Sequence, residues 1–308
     1  MGTSRDYNFR KNISKVANGV TRFNVSKQLL SKITIPIPPL EIQQEIVTIL
    51  DAFTELNTEL NTELNTELNA RKKQYQYYQN MLLDFNDINQ SHKDAKEKLV
   101  QKPYPKRLKA LLQTLAPKGV EFRKLGEVLE YDQPNKYCVT SKEFDKSYPT
   151  PVLTAGKTFI LGYTNEKDNI YQASKNAPVI IFDDFTTATQ WVDFPFKVKS
   201  SAMKILLPKN PTINIRFIFF YMQTIPYNIS GEHTRQWISR YSQLEVPIPP
   251  LEIQQEIVKI LDQFSILTTD LLAGIPAEIE ARKKQYEYYR EKLLTFKPLT
   301  PNKEVKKC

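Results

Sequence analysis

The chain has 308 residues, 41% of them apolar and 25% charged, enough to bury a core and unlike the composition of a disordered segment. Its eight glycines never fall into G-x-G-x-x-G or into the Walker spacing followed by Lys, which excludes the glycine-dependent dinucleotide and nucleotide loops. Two histidines (His92, His233), two cysteines (Cys138, Cys308) and a net charge of +9 supply neither a zinc set, nor a Cys/His nucleophile, nor a disulfide framework, and the composition argues against an enzyme.

Residues 1–35 are basic, with seven cationic side chains against one acidic. Pro36 to Pro39 predict an extended lead-in, after which no proline or glycine occurs before Pro103. Ile46, Leu50, Phe53, Leu56, Leu60, Leu64, Leu68, Tyr75, Tyr78 and Leu82 recur near the helical period and predict one helix with a single apolar stripe over residues 40–85. At about 1.5 Å per residue it is about 70 Å long, too long to stand without a partner along its stripe. Inside it the tetrapeptide TELN occurs four times, from Thr54 to Asn69. Leucines every four residues drift about 40° per unit around the helix, and each unit adds about 6 Å. A molecular spacer and a repeat expanded by replication slippage are compatible origins of this pattern.

Residues 86–116 form a polar, basic tract with a short predicted helix, Lys106 to Leu115. From Pro117 the texture turns aromatic and β-branched, and 117–246 reads as a strand-rich α+β domain. Strands are predicted around Val179–Phe182, Phe194–Val198 and Lys204–Leu207. The run Phe217 to Met222 is too short to cross a bilayer and reads as a buried strand or helix piece. Asp183-Asp184 has the look of a metal or nuclease pair, but no E-x-K or D-x-K follows, and an Asp pair after a strand is more often a turn. A set of donors and aromatics suits contact with phosphates and base edges: Thr154, Lys157, Thr158, Tyr163, Gln190, Trp191, Lys199, Ser200, Ser201, Lys204, His233, Arg235 and Gln236. Taken singly each is an ordinary surface residue, and the basic charge alone fits either a nucleic-acid partner or a solvated face.

Residues 247–296 repeat 36–85 at a constant offset of 211, with 31 of 50 positions identical, including all twelve letters of PIPPLEIQQEIV. Two copies cannot stack into a solenoid. A twofold pseudosymmetric pair of helices fits instead, with Leu50, Phe53, Leu60, Leu64, Tyr75 and Tyr78 of the first facing Leu261, Phe264, Leu271, Tyr286 and Tyr289 of the second. Gly274-Ile275-Pro276 predicts a break or kink in the second copy. Residues 297–308 form a basic tail. With lone thiols and neither a signal-like nor a membrane-length segment, the expected location is the cytoplasm.

PIPPLEIQQEIV with ILDxF, ARKKQYxYY, the TELN units, Tyr104–Val128, Gly156–Thr164 and Ile180–Leu206 together resemble the specificity subunit of type I restriction–modification systems. The resemblance implies a sequence-specific, non-catalytic DNA-recognition subunit. Two target-recognition domains, each reading half of a gapped double-stranded site, are held apart by two conserved helices packed as an antiparallel coiled coil. It also implies docking of modification subunits, which bring S-adenosylmethionine, on the helices, and a restriction subunit that brings ATP-driven action. On this pattern 117–246 is a recognition domain and 1–35 is the remnant of another, since Val25–Ile35 leads into PIPP as Ile238–Val246 does. Two chains that self-associate would supply two readers, and a scaffold that docks modification subunits without reading DNA is the alternative.

Overall fold

Prolines 36, 38 and 39 hold the backbone extended, and the first long helix begins at the next residue, Leu40. The computed structural model describes residues 17–18, 24–25, 27–31, 35–86, 102–154, 158–226 and 235–296. In chain order the elements are β1 (Ala17–Asn18), β2 (Asn24–Val25), α1 (Lys27–Leu30), α2 (Leu40–Leu83), α3 (Lys106–Leu115), β3 (Glu121–Lys124), α4 (Leu125–Val128) and β4 (Leu129–Asp132). There follow β5 (Thr150–Leu153), β6 (Ile160–Thr164), β7 (Val179–Asp183), β8 (Thr189–Val192), β9 (Lys197–Val198), β10 (Met203–Pro208), α5 (Ile215–Met222), α6 (Gln236–Ser239), β11 (Glu245–Ile248) and α7 (Leu251–Leu294). The fold is α+β and divides into two compact units, residues 73–266 and residues 1–72 with 267–308.

Within 73–266, β4, β10, β7 and β8 make an antiparallel sheet in that order. Its central strand β7 is buried along its whole length. Period-two alternation explains this: Ile180 and Phe182 enter one core, Val179 and Ile181 the other. The first core takes the end of α2 (Leu82, Leu83), Phe85, the start of α7 (Ile253, Ile257, Leu261), α3 (Leu108, Leu112) and α5. Helix α5 is apolar nearly all round and buried accordingly. Its first turn is capped by Asn214, whose Oδ1 accepts the Arg216 and Phe217 N–H groups at 3.0 and 3.2 Å. Lys106–Leu115 is helical as predicted, and it carries core leucines although it reads as part of a linker. The second core lies against β5, β6 and β9, where β5 runs antiparallel to β6 and parallel to β9. The predicted strand at 194–198 shrinks to Lys197–Val198, because Pro195 lacks the N–H a ladder needs.

In each unit the two long helices meet through a stacked ring pair. Phe53 and Tyr289 lie 5.5 Å apart in one, Tyr78 and Phe264 4.9 Å apart in the other. The 211-residue offset turns one pair into the other, and early residues meet late ones, so the helices are antiparallel. Helix packing follows the predicted residues, with Leu50, Phe53, Leu60, Leu64, Tyr75, Tyr78, Phe264 and Tyr286 half-buried and Leu261 fully buried. Tyr289 keeps an exposed edge beside its stack, and the side chain of Leu271 lies outside the described residues. Two expectations are corrected. Leu56 is 63% exposed, and Asn57 and Asn61 turn inward instead. A four-residue repeat overshoots the 3.6-residue turn, so the first leucine of the series drifts off the seam. Nor does the second helix break at Gly274–Pro276, for α7 runs through Pro276. Proline removes one intrahelical donor without forbidding helical φ, and Ile275 beside it is buried. Along the repeats, Thr54, Thr58, Thr62 and Thr66 each donate a hydroxyl to the carbonyl four residues back, at 2.8 Å.

Candidate nucleic-acid interface

The β7–β8 hairpin ends in a tightly tied tip. Asp183 Oδ1 accepts the N–H groups of Phe185 and Thr186 at 2.9 and 3.3 Å, and its Oδ2 accepts the Thr186 hydroxyl at 2.5 Å. Thr187, at φ 60°, sits in the left-handed region that β-branched residues rarely adopt. Its N–H is held by the Asp183 carbonyl at 2.9 Å. Asp184 faces two other segments. Its N–H donates to Ala202 O at 3.2 Å, its carbonyl accepts Gln236 N–H at 2.8 Å, and its Oδ1 accepts Trp237 N–H at 2.8 Å. Three segments therefore converge: the hairpin tip, the turn 199–202 and the stretch 235–239.

This convergence gathers several predicted side chains. Lys199 and Ser200 are exposed on the turn, with Ser201 half-buried beside them, while Arg235 is exposed just before α6 and Gln190 on β8. The backbone N–H of Lys199 donates to Leu153 O at 2.8 Å, which brings the end of β5 and Thr154 alongside. Thr158 is exposed and Tyr163 half-buried on β6, opposite Pro151. Lys157 and His233 lie outside the described residues.

Three predicted surface residues are corrected. Lys204 is only 2% exposed; its ammonium bonds Gln133 Oε1, lies 4.4 Å from the Tyr131 ring centroid and 3.7 Å from Asp184 Oδ2. It alternates with Met203 and Ile205, but β10 is buried on both faces, so alternation does not bring it to solvent. Burial pushes its pKa down, Asp184 draws it back up, Arg235 lowers it further, and the net shift is downward. Gln236 is buried. Trp191 is half-buried, covered by the Arg216 guanidinium 4.5 Å from its ring centroid. Asp183 and Asp184 cap a turn and pair with a lysine, and among the described residues no three His, Cys, Asp or Glu side chains form a metal set.

Behind this face the loop 139–148 is fixed by Glu166. Its Oε1 accepts the Thr140 N–H and hydroxyl at 2.9 Å and the Ser141 N–H at 2.7 Å, and its Oε2 meets the buried Lys197 Nζ at 2.6 Å. Desolvation would raise the Glu166 pKa, but the bonds from Lys197, Ser141 and Thr140 outweigh it and hold the carboxyl at about 2. The loop crosses β6 at Gly162, where a Cβ would come within 2.8 Å of Phe144 Cβ. Sequence reasoning missed Phe185 and Thr186, both exposed at the hairpin tip. Their signal was an Asp after an apolar run with Thr three residues on, the pattern of a side-chain-closed turn.

The sequence matches the family described as "Type I restriction modification DNA specificity domain" over residues 7–70 and 117–281. It is 55% identical over 188 residues to the EcoR124I/EcoR124II specificity subunit of Escherichia coli, covering 58% of this chain and 45% of that protein. To the MpnII specificity subunit of Mycoplasma pneumoniae it is 27% identical over 340 residues, covering 89% of this chain and 92% of that protein. The fold is similar to that of the type I restriction–modification S subunit from M. genitalium, with TM-score 0.52, 17% identity and coverage of 94% and 70%. It is also similar to a chain solved in work on complex assembly and conformational transition of the type I restriction–modification system, with TM-score 0.60, 15% identity and coverage of 90% and 65%. The chain thus spans less than half of the E. coli relative and nearly all of the Mycoplasma one, and no described helix is long and apolar enough to cross a membrane. A two-part match that takes in the strand-rich domain and most of each long helix makes this chain a member of the type I restriction–modification DNA specificity family.

Proposed function

We propose that residues 117–246 read one half of a double-stranded DNA site and that the two long helices dock modification subunits. The observation that carries this reading is the convergence of the hairpin tip, the 199–202 turn and Arg235 on Asp184, which presents Lys199, Ser200, Thr186, Phe185 and Arg235 around one tied-down tip. Cation and hydroxyl donors beside an exposed aromatic suit phosphates, base edges and a thymine methyl. In this reading the chain brings no chemistry of its own. The methyl donor, S-adenosylmethionine, comes with the modification subunits, and ATP with a restriction subunit.

Methylation mapping of DNA from cells that co-express this chain with a modification subunit tests it. A methylated motif that appears only with this chain is expected, and it should weaken in Arg235→Ala. An active modification subunit that gives no motif with this chain would leave only the scaffold reading.

A further inference from the structure

Lys204 is a buried cation with no direct place on the DNA-facing surface. It lies on β10 between Met203 and Ile205, both fully buried, and its ammonium meets Gln133 Oε1, Asp184 Oδ2 at 3.7 Å and the face of the Tyr131 ring. Taking an ammonium out of water costs stability that an apolar residue of similar volume would not lose. Packing is therefore no reason for a lysine here. What it supplies, and methionine could not, is direction.

That direction shows at Gln133. A side-chain amide presents an acceptor on one side and donors on the other, and an ammonium accepts nothing. The side turned to Lys204 is Oε1, which leaves Nε2 to donate to Ser201 O at 2.7 Å. The flipped amide would set its NH2 against the ammonium and its oxygen against a carbonyl, and would lose both bonds. The next carbonyl, Ala202 O, accepts the Asp184 N–H at 3.2 Å. Two successive carbonyls of the 199–202 turn are thus tied, one by Gln133 and one by Asp184, and the Lys204 ammonium touches both of those side chains. The Asp184 carboxylate also holds the Trp237 N–H at 2.8 Å, and so the start of α6 beside Arg235.

We infer that Lys204 and Gln133 are positioning residues for base reading: the buried ammonium orients the amide, the amide holds the turn, and the turn keeps Lys199 and Ser200 in a set place relative to Arg235. This role rests on the DNA reading proposed for 117–246 and adds the source of its selectivity. Hydrogen bonds to base edges fail when a donor shifts by about an ångström, whereas attraction between a cation and phosphate tolerates the shift. A loosened turn costs discrimination between sequences before it costs affinity for DNA.

Lys204→Met strands the Asp184 carboxylate in the interior, so folding and positioning would change together. Gln133, which is half-buried, separates them. Gln133→Met removes both bonds of the amide. Gln133→Glu returns an acceptor to the ammonium, but at neutral pH it offers Ser201 O no donor. Gln133→Glu should therefore melt above Gln133→Met, yet the two should lose discrimination alike. In methylation maps of cells that co-express each full chain with a modification subunit, methylation at motif sites relative to sites with one substituted base should fall about tenfold or more in both variants. Amide hydrogen exchange over 199–202 in the chain alone should quicken by about the same factor. A native-like ratio or native-like exchange in either variant would overturn the proposal. So would discrimination that recovers in Gln133→Glu along with melting temperature, since Gln133 would then stabilise the domain and nothing more. A Gln133→Met chain that does not fold counts against it for the same reason. A native chain that directs no motif removes the DNA reading, and this role with it; a native motif with unchanged variants removes this role alone.

Discussion

Lys197 is buried with its ammonium between Glu166 Oε2 at 2.6 Å and the Asp168 carbonyl at 2.9 Å, so the charge of Glu166 is part of what keeps a lysine inside the domain. A carboxyl held at about 2 when folded, against an ordinary 4.5, stabilises the fold most above 4.5 and loses that contribution as pH falls toward 2. The two and a half pH units between them correspond to roughly 3 kcal/mol at about 1.4 kcal/mol each. Melting temperature measured from pH 6 down to pH 2 should fall more steeply in the native chain than in Glu166→Gln, which has already lost the titrating group. At neutral pH, Glu166→Gln should cost about 3 kcal/mol, since it removes the nearer carboxylate from a buried ammonium and leaves only Asp168 Oδ1, at 3.7 Å, as counter-charge. Asp184 has a different signature. Its Oδ1 holds Trp237 N–H, and an amide oxygen can do the same, so Asp184→Asn should melt closer to the native chain than Asp184→Ala. Equal losses in urea titrations of the two would mean that charge against Lys204, and not the tie to α6, is what matters at this position.

The elements divide according to whether local pattern or tertiary context decides them. Helices α2 and α3 and strand β7 were legible because periodicity, proline punctuation and β-branched runs are local properties. Lys204 was not, because alternation says which residues share a face but not that both faces of a sheet are covered. Pro276 was not either, since helix continuation there depends on contacts outside the segment. The site was legible as a set of donors on strands and turns. Its centre was not, because Asp184 gathers Ala202, Gln236 and Trp237 through bonds to backbone groups that leave no periodic trace. The seam of α2 gives a sharp comparison on one helix. Leu60 is half-buried and Leu56 largely solvent-facing, although both occupy the same place in the tetrapeptide. Leu60→Ala should therefore destabilise by about 1–2 kcal/mol, as partial burial of a leucine implies, and Leu56→Ala by under about 0.5 kcal/mol. Chemical denaturation of the two variants side by side checks this; equal losses would put the seam back on the stripe expected from the leucine pattern.

At the scale of the whole chain, the repeat number is tied to the second helix. Tyr78 lies 25 residues after Phe53, and Tyr289 lies 25 residues after Phe264, so the two stacked pairs match in spacing. Removing one TELN unit from α2 takes out about 6 Å of helix and leaves α7 unchanged. Antiparallel helices of unequal length between their clamps cannot keep both stacks, and each stack is worth about 1 kcal/mol beyond the area it buries. A chain lacking Thr58–Asn61 should therefore melt below the native one, and the additional loss of Ser265–Thr268 from α7 should recover part of the difference. If the helices set the separation of two half-sites, the matched deletion should also shorten the gap in a methylated motif by about one or two base pairs, since about 6 Å compares with about 3.4 Å per base pair. The half-site read by 117–246 should stay the same. A single deletion that melts like the native chain would show that the two clamps are independent, and the length of α7 would then place no limit on the number of repeats.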